Sequence, residues 1–327
     1  MNTPSPVIAV VGSANMDLSI PVPRFPREGE TILSGDVITN PGGKGANQAV
    51  SACRAMSAAS RCIFIGKVGE DAFGAELRDS LAAENMDVSA LLESSEGPTG
   101  MATIMVNDAG NNGIMVSLGA NALLSPEDIE ASRGLIESAS VLVVQLEIPY
   151  ETVAAALAIA HQAGVLTILD PAPAPQPLAA GQLAHLPDEL WQVDIFSPNQ
   201  TEAELLTGIA VTDLASARQA GACLLAHGPK QVILKLGGLG AAILTRGEAN
   251  PDVIDCTHVP AMDISICDTT AAGDAFTGAL AAFLTEGRPL TQAVRLAGIS
   301  GSLACTRAGA QSSIPMRTQI FDSDADA

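Results

Sequence analysis

Short apolar runs that stop at glycine or at a polar cluster recur along this chain, and most are followed by a helical pattern. Residues 7–11 (Val-Ile-Ala-Val-Val) stop at Gly12, and residues 61–65 precede a helical pattern near 73–84. The run 141–146 leads to a helix over 150–163, and the run 166–169 ends at Asp170-Pro-Ala-Pro-Ala174. The run 193–196 ends at Ser197-Pro-Asn199 before a helix over 201–206, and the run 231–236 ends at Gly237. Runs this short and this uniformly apolar read as strands buried on both faces of a parallel sheet. Their alternation with helices predicts an α/β fold, a mostly parallel sheet with helices on both sides. In such sheets ligands sit outside the carboxyl ends of the strands.

Two regions break the alternation. From 18 to 40, prolines and glycines interrupt β-type pieces at 31–34 and 36–39. Residues 101–117 hold two β-type runs around Asp108-Ala-Gly-Asn-Asn-Gly113, a strong hairpin turn. Together they predict a small β-sheet standing off the main domain, from about 16–41 and 99–118, as a lid or as a plain edge hairpin. With 327 residues the chain fits one such domain spanning 1–327, whose acidic end at 321–327 is expected to fray. Hydrophobic residues reach 47% but aromatics only 3%, so the core must be built from Ala, Val, Leu and Ile.

The net charge of -20 disfavours a nucleic-acid partner, which would call for a basic face. The cysteines (Cys53, Cys62, Cys223, Cys256, Cys267, Cys305) form no C-x-x-C pair and read as small buried hydrophobes in a reducing compartment. The four histidines lack metal-ligand spacing. No run is long enough for a membrane span, and the first residues lack the pattern of a signal peptide, so a soluble cytoplasmic protein is expected.

The segment from Asp268 to Leu280 carries the sharpest chemistry. Ala271, Ala272 and Gly273 stand directly before Asp274, and a run of helix formers follows. A helix starting near Asp274 would aim free N–H groups at an oxyanion and hold a carboxylate beside it, as phosphoryl transfer to a hydroxyl requires. An N-cap aspartate on a core helix has the same pattern. Asn40-Pro-Gly-Gly-Lys-Gly-Ala-Asn-Gln48 resembles a phosphate loop, but Ile38 occupies the place of the first P-loop glycine and Gly45 follows the lysine. Gly42 and Gly43 would let the backbone approach a ligand, and Asn47 offers a donor and an acceptor to a polyhydroxyl compound; a glycine turn before a helix reads equally well. Asp17 and Glu147 lie at strand ends, where carboxylates accept from sugar hydroxyls or simply face solvent. Asn199-Gln-Thr-Glu202 starts a helix, where Glu202 either caps it or holds Mg2+ through water. Lys235-Leu-Gly-Gly-Leu-Gly240 ends a strand and admits a nucleotide.

These pieces, in this order, resemble the ribokinase (PfkB) family of carbohydrate kinases. Residues 42–74 are similar to the family's first signature and 268–280 to its second. Within the family the ribokinase pattern is nearest, at residues 12–17, 42–48, 145–147, 171–174, 198–204 and 306–311. The resemblance implies a three-layer sandwich with a β-sheet lid that doubles as a homodimer interface, and ATP-dependent phosphorylation of D-ribose at O5. It assigns Asn15, Asp17, Gly42, Gly43, Lys44, Asn47, Glu147 and Asp274 to the sugar, with Asp274 as base. Ala271, Ala272 and Gly273 would form the anion hole. Asn199, Lys235, Leu236, Gly237, Gly238, Leu239, Gly240, Ala272 and Gly273 would take ATP, and Asn199 with Glu202 would organise Mg2+ and phosphate. A monovalent cation, K+, would lie by Asp268, Thr270, Ala304, Arg307, Gly309 and Ser313.

The chain departs from the family pattern at three places. Ala271 stands where many members have glycine, Asp170 replaces an asparagine, and Lys235 stands where some ribokinases have threonine. The alternatives are another sugar or nucleoside kinase of the family and a non-catalytic sugar sensor. Few aromatics are present to stack a base, and a sensor would not need Asp274.

Overall fold

The computed structural model describes residues 6–175, 183–247, 250 and 253–325. Its strands are β1 (Val7–Val11), β2 (Asn15–Val22), β3 (Ile38–Gly42), β4 (Arg61–Gly69), β5 (Asp87–Ser94), β6 (Gly100–Asn107) and β7 (Asn112–Ser117). They continue as β8 (Val141–Val144), β9 (Leu166–Leu169), β10 (Ile195–Phe196), β11 (Gln231–Lys235), β12 (Ala241–Arg246) and β13 (Ile254–Val259). The helices are α1 (Lys44–Ala55), α2 (Ala72–Ala83), α3 (Pro126–Ala131), α4 (Arg133–Glu137) and α5 (Tyr150–Ala163). After them come α6 (Gln200–Thr207), α7 (Leu214–Ala226), α8 (Ala272–Thr285), α9 (Leu290–Ala304) and α10 (Arg317–Ala325).

Nine strands form the central sheet in the order β13-β12-β11-β10-β9-β8-β1-β4-β5. Pairing is parallel from β5 across to β11, then antiparallel for β12 and β13. Every residue of β1 and β8 is buried, as expected of strands covered on both faces. Along β1, Ala9 and Val11 join the core under α3, α5 and α7, while Ile8 and Val10 join the core under α1, α8 and α9. The period of two thus divides one strand between two hydrophobic layers.

The shortage of aromatics is met by close backbone approach. Where α8 crosses α1, a Cβ on Gly278 would lie 2.1 Å from the Gln48 carbonyl oxygen, so only glycine lets these helices touch. That contact brings the first turn of α1 against the first turn of α8.

The second sheet has the order β3-β2-β6-β7, with β2 and β6 parallel and the outer pairs antiparallel. It is the off-standing sheet expected, and the turn at 108–111 closes its hairpin. Residues 31–34, read as β-type, form no strand: Leu33 is 88% exposed, so the segment has no apolar face to bury. The run 193–196 pairs only at Ile195–Phe196, and β8 stops at Val144 rather than 146. α8 begins at Ala272, two residues before the start expected near Asp274. Residues 321–325 of the acidic end complete α10, where Phe321 packs edge-on against Phe283 and Asp324 pairs with Arg295, and residues 326–327 lie outside the described residues. Among the cysteines only Cys62 is fully buried, and Cys267 is exposed, against the expectation that all six are core residues. Residues 1–5, and with them the start searched for a signal peptide, lie outside the described residues. No described helix is long and apolar enough to cross a membrane.

Candidate active site

The strands β1, β8 and β9 end at one rim of the sheet, and the residues just past them meet the N-termini of α1 and α8 there. Gly43 caps α1 at φ 88°, and a Cβ on it would lie 2.6 Å from the Asn15 amide nitrogen. Glycine is therefore required to bring the loop against the start of β2. Glu147, just past β8, accepts from the Ser13 hydroxyl at 2.6 Å, the Asn15 side-chain amide at 3.4 Å and the Lys44 backbone N–H at 3.3 Å. Asp17 reaches the same rim from β2 and is 8% exposed. Its carboxyl is pushed up to about 7 by burial, then by the charges of Glu147 and Asp274. Burial works against the charge on Lys44, but Asp274, Glu147, Asp170 and Glu202 together hold its ammonium above the ordinary range. Asp17, Glu147, Asp274 and Lys44 thus gather at one rim beside the second sheet, a set of acceptors and a donor that suits a neutral compound rich in hydroxyls, each of which both donates and accepts.

Asp274 lies in the first turn of α8 and is buried. Asn47 Nδ2 donates to its Oδ2 at 3.0 Å and Gln48 Nε2 to its Oδ1 at 3.0 Å. Burial raises its pKa, while Lys44 and these amides oppose the rise. The carboxylate is thus held in place and made more basic, which suits a general base. Asn47 Oδ1 is buried without a hydrogen-bond partner among the described residues, an acceptor left for a ligand. At the head of α8 the Ala272 N–H turns back to the Thr269 carbonyl at 3.3 Å. The N–H groups of Gly273 and Asp274 have no partner among the described residues. Of Ala271, Ala272 and Gly273, the residues predicted for an anion hole, Gly273 keeps a free N–H in the structure, with that of Asp274 beside it. Ala271 itself sits at φ 58°, the left-handed region, which accounts for glycine in its relatives' pattern.

A cavity of about 350 Å³ opens on the far side of α8's N-terminus. Asn199, Lys235, Gly237, Gly238, Gly240, Ala272 and Gly273, all predicted for ATP, line it. Leu236 does not, since it is buried in the core, and Leu239 projects outward, 44% exposed. The sequence reading missed the apolar walls, which come from Val259, Met262, Ile264 and Phe276, and the side made by Gly298 and Gly301 of α9. A small apolar cleft ending at a helix N-terminus fits a purine nucleotide with its phosphates toward Gly273. Asn199 and Glu202 form a capping box on α6: the Asn199 side chain accepts from the Glu202 N–H at 2.9 Å, and Glu202 accepts from the Asn199 N–H at 2.7 Å. Burial, then the nearby Asp170, raises the Glu202 carboxyl above its ordinary range.

Sequence reasoning did not give Gln48, Asp170 and Thr277 roles. Asp170 Oδ2 accepts from Gln48 Nε2 at 3.0 Å, Lys235 Nζ at 3.0 Å and the Thr277 hydroxyl at 3.1 Å. Two of the three departures from the family pattern, Asp170 and Lys235, are thus partners in one buried ion pair. The two departures, noted separately in the sequence, were the available signal.

Of the residues expected at a monovalent cation, the structure joins Asp268, Thr270 and Gly309. Asp268 Oδ1 accepts from the Thr270 N–H at 2.9 Å and hydroxyl at 2.7 Å, and Oδ2 from the Gly309 N–H at 3.0 Å. Burial opposes the charge on Asp268, yet these donors hold its carboxyl below the usual range. Ser313 is buried on the turn after Gly309, Ala304 ends α9 and Arg307 is exposed. No cluster of His, Cys, Asp and Glu among the described residues is arranged to hold a metal.

A buried carboxylate at the head of a helix, between a polar rim and a nucleotide-sized cleft, is the arrangement that phosphoryl transfer to an alcohol requires. The model of the pfkB family carbohydrate kinases matches residues 6–317, and the chain belongs to that family. It is 35% identical over 316 residues to a ribokinase of Haemophilus influenzae, covering 96% of this chain and 97% of that one. It is 33% identical over 313 residues to a deoxyribokinase of Salmonella typhi, covering 96% and 97%. Among solved structures it is similar to an Arabidopsis thaliana ribokinase complexed with ribose and ATP, with TM-score 0.86, 32% identity and 98% and 99% of the two chains covered.

Proposed function

We propose that this chain transfers the γ-phosphoryl group of ATP to O5 of D-ribose, giving D-ribose 5-phosphate and ADP. The observation that carries the reading is Asp274, fixed by Asn47 and Gln48 between the hydroxyl-binding rim and the free amides of α8. Asn15, Asp17, Gly42, Gly43, Lys44, Asn47 and Glu147 hold the sugar. Asp274 takes the proton of the attacking hydroxyl, and the amides of Gly273 and Asp274 receive the charge of the transferring group. Asn199, Lys235 and Gly237 to Gly240 hold the nucleotide. Magnesium, which supplies charge neutralisation on the phosphates, suits Glu202 only through water, because its carboxylate already serves the α6 cap. The Asp268, Thr270 and Gly309 loop fits K+, and it shapes the anion hole from behind. The lid presents Ile38, Ile114 and Val116 on one exposed face of its sheet, and we take this apolar face as a homodimer contact. A cytoplasmic location accords with the acidic, free-thiol composition.

A second sugar, 2-deoxyribose, is favoured by the similarity to a deoxyribokinase. The test is ADP release measured against ribose, deoxyribose, hexoses and nucleosides. Ribose should give the highest kcat/KM; a nucleoside or deoxyribose in its place overturns the substrate. Exchange of K+ for Na+ in the same assay should lower the rate, and an unchanged rate removes the cation site. Sedimentation should find a dimer that Ile114→Glu dissociates; a monomeric parent protein rejects the interface.

A further inference from the structure

Lys235 ends β11 and Asp170 follows β9, two strands away, with β10 between them. Their side chains pair at 3.0 Å and are 11% and 2% exposed. The Lys235 backbone is pinned on the other side, its N–H donating to the Pro198 carbonyl at 2.9 Å beside Asn199. The ammonium is therefore held at one place, and that place faces α8: Nζ lies 3.7 Å from where a Cβ on Gly273 would stand. A helix N-terminus carries roughly half a positive charge, so a cation there is repelled. Here the free amides of Gly273 and Asp274 and a buried ammonium converge on the same cleft. Asp170 is the only described acceptor of Lys235, which leaves N–H donors of the ammonium to be used. An anion entering between Lys235 and Gly273 satisfies both.

Resting on the phosphoryl-transfer reading above, we propose that Lys235 contacts the phosphoryl group being transferred, and that Asp170 is the positioning residue for both halves of the reaction. On the nucleotide side Asp170 Oδ2 holds the Lys235 ammonium. On the acceptor side the same oxygen holds Gln48 Nε2, which also donates to Asp274 Oδ1 at 3.0 Å. One buried oxygen thus sets the separation between the group that neutralises the phosphoryl charge and the group that removes the hydroxyl proton. Thr277, one helical turn beyond Asp274, fixes that oxygen from α8 itself.

The test compares Lys235→Met, Lys235→Arg, Asp170→Asn and the double variant D170N/K235M by steady-state kinetics, by calorimetric binding of ATP and ADP, and by thermal unfolding. Lys235→Met should lower kcat by roughly a hundredfold to a thousandfold, the range for loss of one charge-stabilising donor, with the KM for sugar little changed. It should also lower the preference for ATP over ADP, read as the ratio of their affinities, below that of the parent protein, a change that a merely structural lysine would not make. Lys235→Arg, which keeps the charge, should retain most of that preference. Asp170→Asn should reproduce the kcat loss, and the double variant should be no slower than Lys235→Met, because the two residues act as one unit. An ATP-to-ADP affinity ratio in Lys235→Met equal to that of the parent protein overturns the contact. Losses that multiply in the double variant overturn the positioning role. Nucleotide binding requires no acceptor, so the ratio still decides should no tested sugar be phosphorylated; that result would sink the substrate reading alone. If Asp170→Asn fails to fold, the two Lys235 variants still decide the contact, and the double variant decides the positioning role.

Discussion

Asp274, the proposed base, is held by neighbours that reach it from another helix. Asn47 and Gln48 each donate to one of its oxygens, so the carboxylate is fixed and its remaining lone pairs face the rim. Asp274→Asn should lower kcat by about two to four orders of magnitude, as expected when a general base is removed, while calorimetric affinity for the sugar stays within a few-fold. Turnover near normal would take Asp274 out of the role. Ala271 makes a different case. It holds φ 58° without glycine's freedom, a strain of roughly 1–2 kcal/mol for an L-residue. Ala271→Gly should therefore raise stability in urea by about 0.5–1 kcal/mol, the gain reduced by glycine's larger unfolded-state entropy. A lower midpoint would show that the Ala271 side chain contributes packing that outweighs the strain. At this scale the sequence was most readable where chemistry is packed into a contiguous motif: Asp274, Gly273, Asn47 and the Asn199–Glu202 pair. It was least readable where partners are distant, as for Asp170 and Lys235, 65 positions apart. No local periodicity reports such a pair, because strand order alone brings them together.

At the scale of elements, the site depends on the α1–α8 crossing more than on either helix alone. A Cβ on Gly278 would meet the Gln48 carbonyl at 2.1 Å and the Ser51 Cβ at 2.6 Å. Gly278→Ala gains about 1 kcal/mol of helix propensity but overpacks the crossing, which costs about 1–3 kcal/mol. The net should be a loss of stability by chemical denaturation. Since Gln48 is displaced, kcat should fall while ATP affinity holds. Equal falls in both would place the damage elsewhere in α8. The same crossing explains which elements were legible. The parallel strands β1, β4, β8, β9 and β11 announce themselves as apolar runs, because both their faces are buried. Strands β5, β12 and β13 escaped notice: β5 and β13 are the edges of the sheet and mix exposed, half-buried and buried residues without a uniform run, while in β12 only residues 241–244 are buried, directly after a glycine loop. Residues 31–34 misled because β-branched and apolar residues mark a strand only where a neighbouring strand can pair with them. The second sheet was legible through its hairpin turn, although its parallel β2–β6 pairing, which joins distant segments, was not.

At the scale of the whole molecule, charge sets a constraint that the site must overcome. The chain carries 36 acidic and 16 basic residues, and its net negative charge opposes the approach of ATP. Against this the protein sets two lysines, Lys44 on the rim and Lys235 in the cleft, together with the free amides of α8. These act over a few ångströms, whereas the net charge acts over the screening length, about 30 Å at 0.01 M salt and about 8 Å at 0.15 M. Added salt should weaken the long-range repulsion more than the short-range attraction, because buried contacts are little screened. With K+ held constant and tetramethylammonium chloride raised over that range, kcat/KM for ATP should rise severalfold. Ribose is uncharged, so its kcat/KM at saturating ATP should stay level and serves as the control. A fall in the ATP value with salt would mean that Lys44 and Lys235 extend their attraction beyond the cleft and dominate the field that an approaching nucleotide meets.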